Sequence, residues 1–173
     1  MGSRVGIAAL GALLALVLQV VLAPNIAIAG VMPSFIIAFT LAVAMLLPPT
    51  PAYVIAFTLG LCSDLLGYGP VGALPLILLV CTFALQQSQS AFGNGTLFVS
   101  CIILVVFVLL AHFLHAAFMV AMTSTYSAAQ AFSQVAIPGS LYDCVLAVVL
   151  YVLMRRVLSP GQASMAHIGP YAR

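Results

Sequence analysis

The sequence predicts an all-α integral membrane protein, a polytopic bundle of about six transmembrane helices. Three observations predict it. Charge is almost absent: Lys, Glu and Trp do not occur, and charged side chains make up 3% of the chain, against about 25% in water-soluble domains. The hydrophobic share is 65% and the mean hydropathy is +1.33, too apolar for a water-soluble surface. The apolar residues also come in long unbroken runs, separated by clusters of Pro, Gly, Gln and Ser. A helix needs about 20 apolar residues to cross a bilayer. Open strands cannot cross, because their backbone groups would be unpaired in lipid.

The runs set the expected spans in order. Residues 5–23 form the first, ended by Pro24-Asn25. Residues 31–47 form the second, ended by Pro48-Pro49-Thr50-Pro51, through which no helix is expected to continue. Residues 52–66 and 71–85 form a third and a fourth, separated by Gly67-Tyr68-Gly69-Pro70. Both are short for a crossing, which a small tilt or a thinned bilayer accommodates. Residues 96–122 and 137–158 complete the set. Residues 1–158 thus read as one transmembrane domain, and 159–173 as a short cytoplasmic tail.

Arg4 precedes the first span, and Arg155 and Arg156 close the last. These membrane-boundary anchors put both ends in the cytoplasm by the positive-inside rule, and an even number of spans agrees with that. A second reading takes Arg4, the first apolar run and Ala27-Ile28-Ala29-Gly30 as a cleavable secretory signal. The run is longer than the usual ~7–15 residues of such signals. Cleavage would leave five spans and the same internal C-terminus.

Several function classes find no support. A net charge of +2 with no basic stripe gives nothing for nucleic acid. Cys62, Cys81, Cys101 and Cys144 form no C-x-x-C pair and have no His at ligand spacing, so they read as packing residues rather than a disulfide or metal framework. Gly67-Tyr68-Gly69-Pro70-Val71-Gly72 matches G-x-G-x-x-G, but a membrane span precedes it and no acidic ribose partner follows. It reads as a tight turn, not a dinucleotide site. No Gly-x-Ser nucleophile suggests an intramembrane protease. No catalytic residue, cofactor or metal is expected.

Asp64 and Asp143 are the only acidic residues. An Asp at mid-span costs about 2.5–3.5 kcal/mol on insertion scales, so such residues face the bundle interior or a water-filled cavity. The plainer reading puts Asp64 in water beside its turn and Asp143 in the first turn of its helix, favoured by the dipole. His112 and His115 share one helix face; their plainer reading is two neutral, hydrogen-bonded histidines. With both ends inside, all four residues fall in the outer half of the bundle. They are therefore expected to form one polar structural or interaction cluster that holds the third, fifth and sixth spans in register. In the first span, Ala8 with Ala12 and Gly11 with Ala15 are small-xxx-small pairs that permit close helix contact.

The second to fourth spans resemble the rod shape-determining protein MreD family. The resemblance lies in Pro33, in Gly60-Leu61-x-x-Asp64-Leu65 and in Pro70-Val71-Gly72, with Gly60, Gly67, Pro70 and Gly72 as the family-motif turn. Pro138, Leu141-Tyr142-Asp143 and Leu150-Tyr151-Val152-Leu153 before Arg155-Arg156 agree. It implies a non-catalytic scaffold of the cell-elongation complex in the bacterial inner membrane. The partners implied are MreC and, through it, RodA, a class-B penicillin-binding protein and MreB. A fold like the substrate-binding component of energy-coupling-factor transporters is also implied. The lack of Lys and Glu departs from many members and weakens any charge-based partner contact. Membrane lipid is the expected surrounding, and homodimerisation stays open. The alternative reading is the substrate-binding subunit of a vitamin transporter of that energy-coupling type, with an outward-facing polar pocket.

Overall fold

A computed structural model describes residues 2–27, 31–67, 71–92, 97–122 and 137–158. Six α-helices are described: α1 (Gly2–Val21), α2 (Phe35–Ala44), α3 (Pro49–Leu66), α4 (Ala73–Phe92), α5 (Leu97–Met122) and α6 (Ile137–Leu158). A short 3-10 turn, Ala23–Ile26, follows α1. Five of the helices are long and apolar enough to cross a membrane. The chain is a multi-pass all-α membrane protein.

The exception is α2. Its 10 residues rise roughly 15 Å, about half the ~30 Å hydrocarbon thickness. Within the run 31–47, only Phe35–Ala44 is α-helical. Every residue of α2 is buried. The helix is the axis of the bundle: α1, α3, α4, α5 and α6 all pack on it. Around it, α1 packs on α3, α3 on α4, α4 on α5 and α5 on α6. A hydrophobic helix with no exposed side can be stable only inside such a ring.

Small residues let the ring close in. Ala8, Ala12 and Ala15 are the buried positions of α1. They recur at one helix face, so α1 lies against the bundle on its Ala stripe. Beside them Gly11 admits the Phe39 ring, which would stand 2.8 Å from a Cβ there. Outward faces are apolar. Leu10, Leu14 and Val17 on α1, Phe98, Ile102 and Val106 on α5, and Leu141, Val145 and Val149 on α6 are exposed. Such stripes in a water-soluble protein would drive association; here they face lipid.

Two boundaries depart from the apolar runs. The Pro-rich segment after α2 opens α3: Pro49 and Pro51 lie in its first turn, where a missing N–H costs nothing. At the other extreme α4 runs on through Gln86–Ser90 to Phe92. The two serines there are absorbed by the helix itself, Ser88 donating to Ala84 O at 2.8 Å and Ser90 to Gln87 O at 2.8 Å.

Candidate functional site

Successive helices alternate in direction. The ends of α1, α3 and α5 and the starts of α2, α4 and α6 therefore share one end of the bundle. Asp64, His112, His115 and Asp143 all lie toward that end, where Asp64, His112 and Asp143 form two hydrogen-bonded joints.

The first joint is built on Asp143, which is 0% exposed. It lies in the second turn of α6, and its carboxylate reaches the start of α2. Ser34 N donates to Asp143 Oδ1 at 2.8 Å and to Oδ2 at 3.0 Å. Ser34 is also the N-cap of α2, its hydroxyl accepting from Ile37 N at 3.3 Å. A buried helix start leaves several N–H groups without intrahelical partners and carries partial positive charge. The Ser hydroxyl and the Asp carboxylate supply both the acceptors and the opposite charge.

His112 of α5 completes this joint. Its Nε2 stands 3.0 Å from Asp143 Oδ2, and its Nδ1 stands 3.0 Å from Val108 O. A carbonyl oxygen can only accept, so Nδ1 carries a hydrogen. A neutral imidazole has no second hydrogen to give. The Nε2···Oδ2 contact therefore holds one more proton, on the imidazole or on the carboxyl. Either way the pair is neutral as a unit, which avoids the cost of a lone buried charge. Gly139, one turn before Asp143, leaves the space: a Cβ there would lie 3.3 Å from Val31 Cγ1 and 3.8 Å from the His112 ring. Cys144 adds a long Sγ contact to Val105 O at 3.9 Å between the same two helices.

The second joint is built on Asp64, 8% exposed, near the end of α3. Its Oδ2 accepts from Gly72 N at 2.8 Å and Leu74 N at 3.1 Å. A carboxylate from one helix thus caps the next, where the dipole favours it. Gly60 sits one turn earlier on the same face. A Cβ at Gly60 would lie 2.6 Å from Pro75 Cα and 2.7 Å from Pro75 N, so only glycine lets the two backbones approach this closely. Gly72 has φ +101°, a conformation that L side chains rarely adopt. Gly67 closes α3 with its N–H on Ser63 O at 2.9 Å and φ −93°, a geometry open to any residue. Pro70 lies outside the described residues, as do residues 28–30 of the signal-like Ala27-Ile28-Ala29-Gly30.

The expected single cluster is thus arranged as two joints, one tying α5 and α6 to α2, the other tying α3 to α4. His115 is half-buried one turn along α5 from His112, in neither joint. Arg4 stands in the first turn of α1, and Arg155 and Arg156 in the last turn of α6, all at the opposite end. Cys62, Cys81, Cys101 and Cys144 are free thiols. Among the described residues no three His, Cys, Asp or Glu side chains form a metal-sized group.

Sequence reasoning missed three contributors at α2. Gln19 of α1 donates to Pro33 O at 3.2 Å, just before the helix. Gln86 of α4 donates to Ala44 O at 3.1 Å, at its far end, with a longer contact to Leu47 O at 3.4 Å. Ser34 is the third. A Ser immediately before an apolar run is an N-cap signal and would have located the start of α2. The half-span helix is therefore held by polar side chains at both ends. Beside its start, Gln19, Pro24, Met32, Ile36, Ser63 and Leu66 line a cavity of about 360 Å³.

The model of the family described as rod shape-determining protein MreD matches residues 4–159. Neither a curated relative nor a solved structure matches the chain. A match over nearly the whole chain, its transmembrane helices included, shows the family: this protein belongs to the rod shape-determining MreD family.

Proposed function

We propose that this protein is a non-catalytic membrane scaffold of the bacterial cell-elongation complex. Its family carries a role in determining rod shape. The finer reading is that it binds MreC, and through MreC positions RodA, a class-B penicillin-binding protein and MreB for lateral peptidoglycan synthesis. One observation carries the scaffold reading. The two carboxylates are committed to backbone N–H groups of neighbouring helices, as fixed joints require and a catalytic acid or base does not. What remains on the outside is apolar helix surface, suited to a partner's membrane helix.

The same reading sets the protein in the inner membrane with both termini in the cytoplasm. Arg4 and Arg155-Arg156 at one end of the bundle support it, as positive residues favour the cytoplasmic side. The test is a mild-detergent pull-down of the C-terminally tagged protein with mass spectrometry. Co-recovery of a single-span coiled-coil protein with wall-synthesis enzymes is expected.

The cavity beside the start of α2 favours a second reading, the substrate-binding subunit of an energy-coupling-factor transporter. Its volume, about 360 Å³, falls in the size range of small-molecule pockets. Recovery of a transmembrane coupling subunit with ATPases, instead of wall-synthesis proteins, would replace the first reading with this one.

A further inference from the structure

We propose that the contact between α2 and α4 is an internal hydration site, in which ordered water bridges Thr40, Thr82 and Gln86. Thr40 Oγ1, Thr82 Oγ1 and Gln86 Oε1 are enclosed and have no hydrogen-bond partner among the described residues. The two threonines are 1% and 0% exposed. A helical Thr or Ser can satisfy itself by donating to the carbonyl one turn back. Thr58 does so to Val54 O at 2.8 Å and Ser88 to Ala84 O at 2.8 Å. Thr40 and Thr82 do not, so their hydroxyls need another partner.

Helix register brings the three groups to one contact. α2 and α4 run parallel, since α3 returns between them. The bond from Gln86 Nε2 to Ala44 O fixes their relative height. Four residues back on each helix are Thr82 and Thr40, one turn deeper and level with each other. Gln86 reaches toward α2, so Thr82, on the same face, is turned that way too. On α2, Phe39 meets α1 at Gly11 and Ile36 lines the cavity between α1 and α3. Thr40 stands further round from Phe39, on the side of α3 and α4.

The approach for water is a groove of about 290 Å³ where α2 and α4 end, lined by Ala44, Leu47, Pro49, Gln86, Gln89 and Ser90. Water fits the donor set. Gln86 Oε1 only accepts, while each hydroxyl donates and accepts, and a bound water needs two to four such partners. A cation does not fit. Both carboxylates are at the opposite end and already occupied, and a buried cation without a counter-charge is costly.

The experiment is water-to-methyl magnetisation transfer by NMR on the full chain in nanodiscs, with labelled Thr methyls. Transfer to both the Thr40 and Thr82 methyls is expected; its absence from either overturns the proposal. Thr40→Val, Thr82→Val and the double variant give an independent reading. Each single change is expected to lower the Tm by about 2–4 °C. The double variant should lose less than the sum, because the two share water, and Thr→Ser should restore the Tm. A rise in Tm on Thr→Val identifies dry, unpaired hydroxyls and overturns the site; strict additivity overturns the bridge between them.

Discussion

Replacing Asp143 in two ways separates the hydrogen-bond role of its carboxylate from its mere presence. Asp143→Ala removes the acceptor for Ser34 N–H and the partner of His112 Nε2 together. Both are left in a site that is 0% exposed. Leaving a buried donor or acceptor without its partner costs about 1–3 kcal/mol for each of the two groups. For a chain of this size each kcal/mol moves Tm by about 2–4 °C, so the loss is on the order of 10 °C. Asp143→Asn has the same shape and keeps both contacts. Its amide oxygen accepts from Ser34 N, and its amide N–H donates to the bare Nε2 of a neutral His112, whose Nδ1–H stays on Val108 O. The proton held by the pair is then dispensable, and the expected loss is about 1 kcal/mol, an ordinary single-site effect. The assay is detergent thermal unfolding of both variants beside His112→Ala and His112→Ala with Asp143→Ala. The double variant should lose clearly less than the sum of the singles. An Asn variant that melts as early as the Ala variant would refute the proton accounting.

The α3–α4 joint makes its own predictions. Gly60→Ala forces a Cβ into the Pro75 backbone and should destabilise by about 1–3 kcal/mol, with Gly60→Val worse, read by the same thermal assay. Asp64→Ala removes the cap of α4 and should cost about 0.5–2 kcal/mol; Asp64→Asn, which keeps an acceptor oxygen, should cost less. Gly72→Ala should cost about 1–3 kcal/mol from its φ of +101°, whereas Gly67→Ala, at φ −93°, should be near neutral. Gln86→Leu removes the donor to Ala44 O and should speed amide exchange at the end of α2 more than at its start.

The long apolar runs made the all-α membrane class legible, because a bilayer leaves few other solutions. The rarity of acidic residues singled out Asp64 and Asp143 for the same reason. What they bond to was not legible. Ser34 N, Gly72 N and Leu74 N are backbone donors, and a backbone N–H leaves no mark in residue type. The short α2 was hidden inside an apolar run, since hydropathy does not separate a helix from non-helical chain when both are buried. Its N-cap, Ser34, was the overlooked signal. The Pro-rich start of α3 reads in sequence as a break because proline both stops one helix and opens the next. The polar end of α4 was missed because Gln86 and Ser88 break an apolar run without breaking a helix.

Grouping the four polar residues by depth says nothing of how they pair. Depth follows from chain direction alone. Pairing depends on which helices are neighbours, and that is set by contacts such as Gly60 on Pro75 and Gly139 beside His112.

The central claim is that the rare polar side chains are committed to pinning the half-span helix α2 and its surroundings. Amide hydrogen exchange at Ser34 tests it most directly, because that single N–H is held by Asp143. Exchange is expected to be slow in the unaltered protein, slow in Asp143→Asn, and faster by orders of magnitude in Asp143→Ala. Equal rates at Ser34 in all three proteins would contradict it.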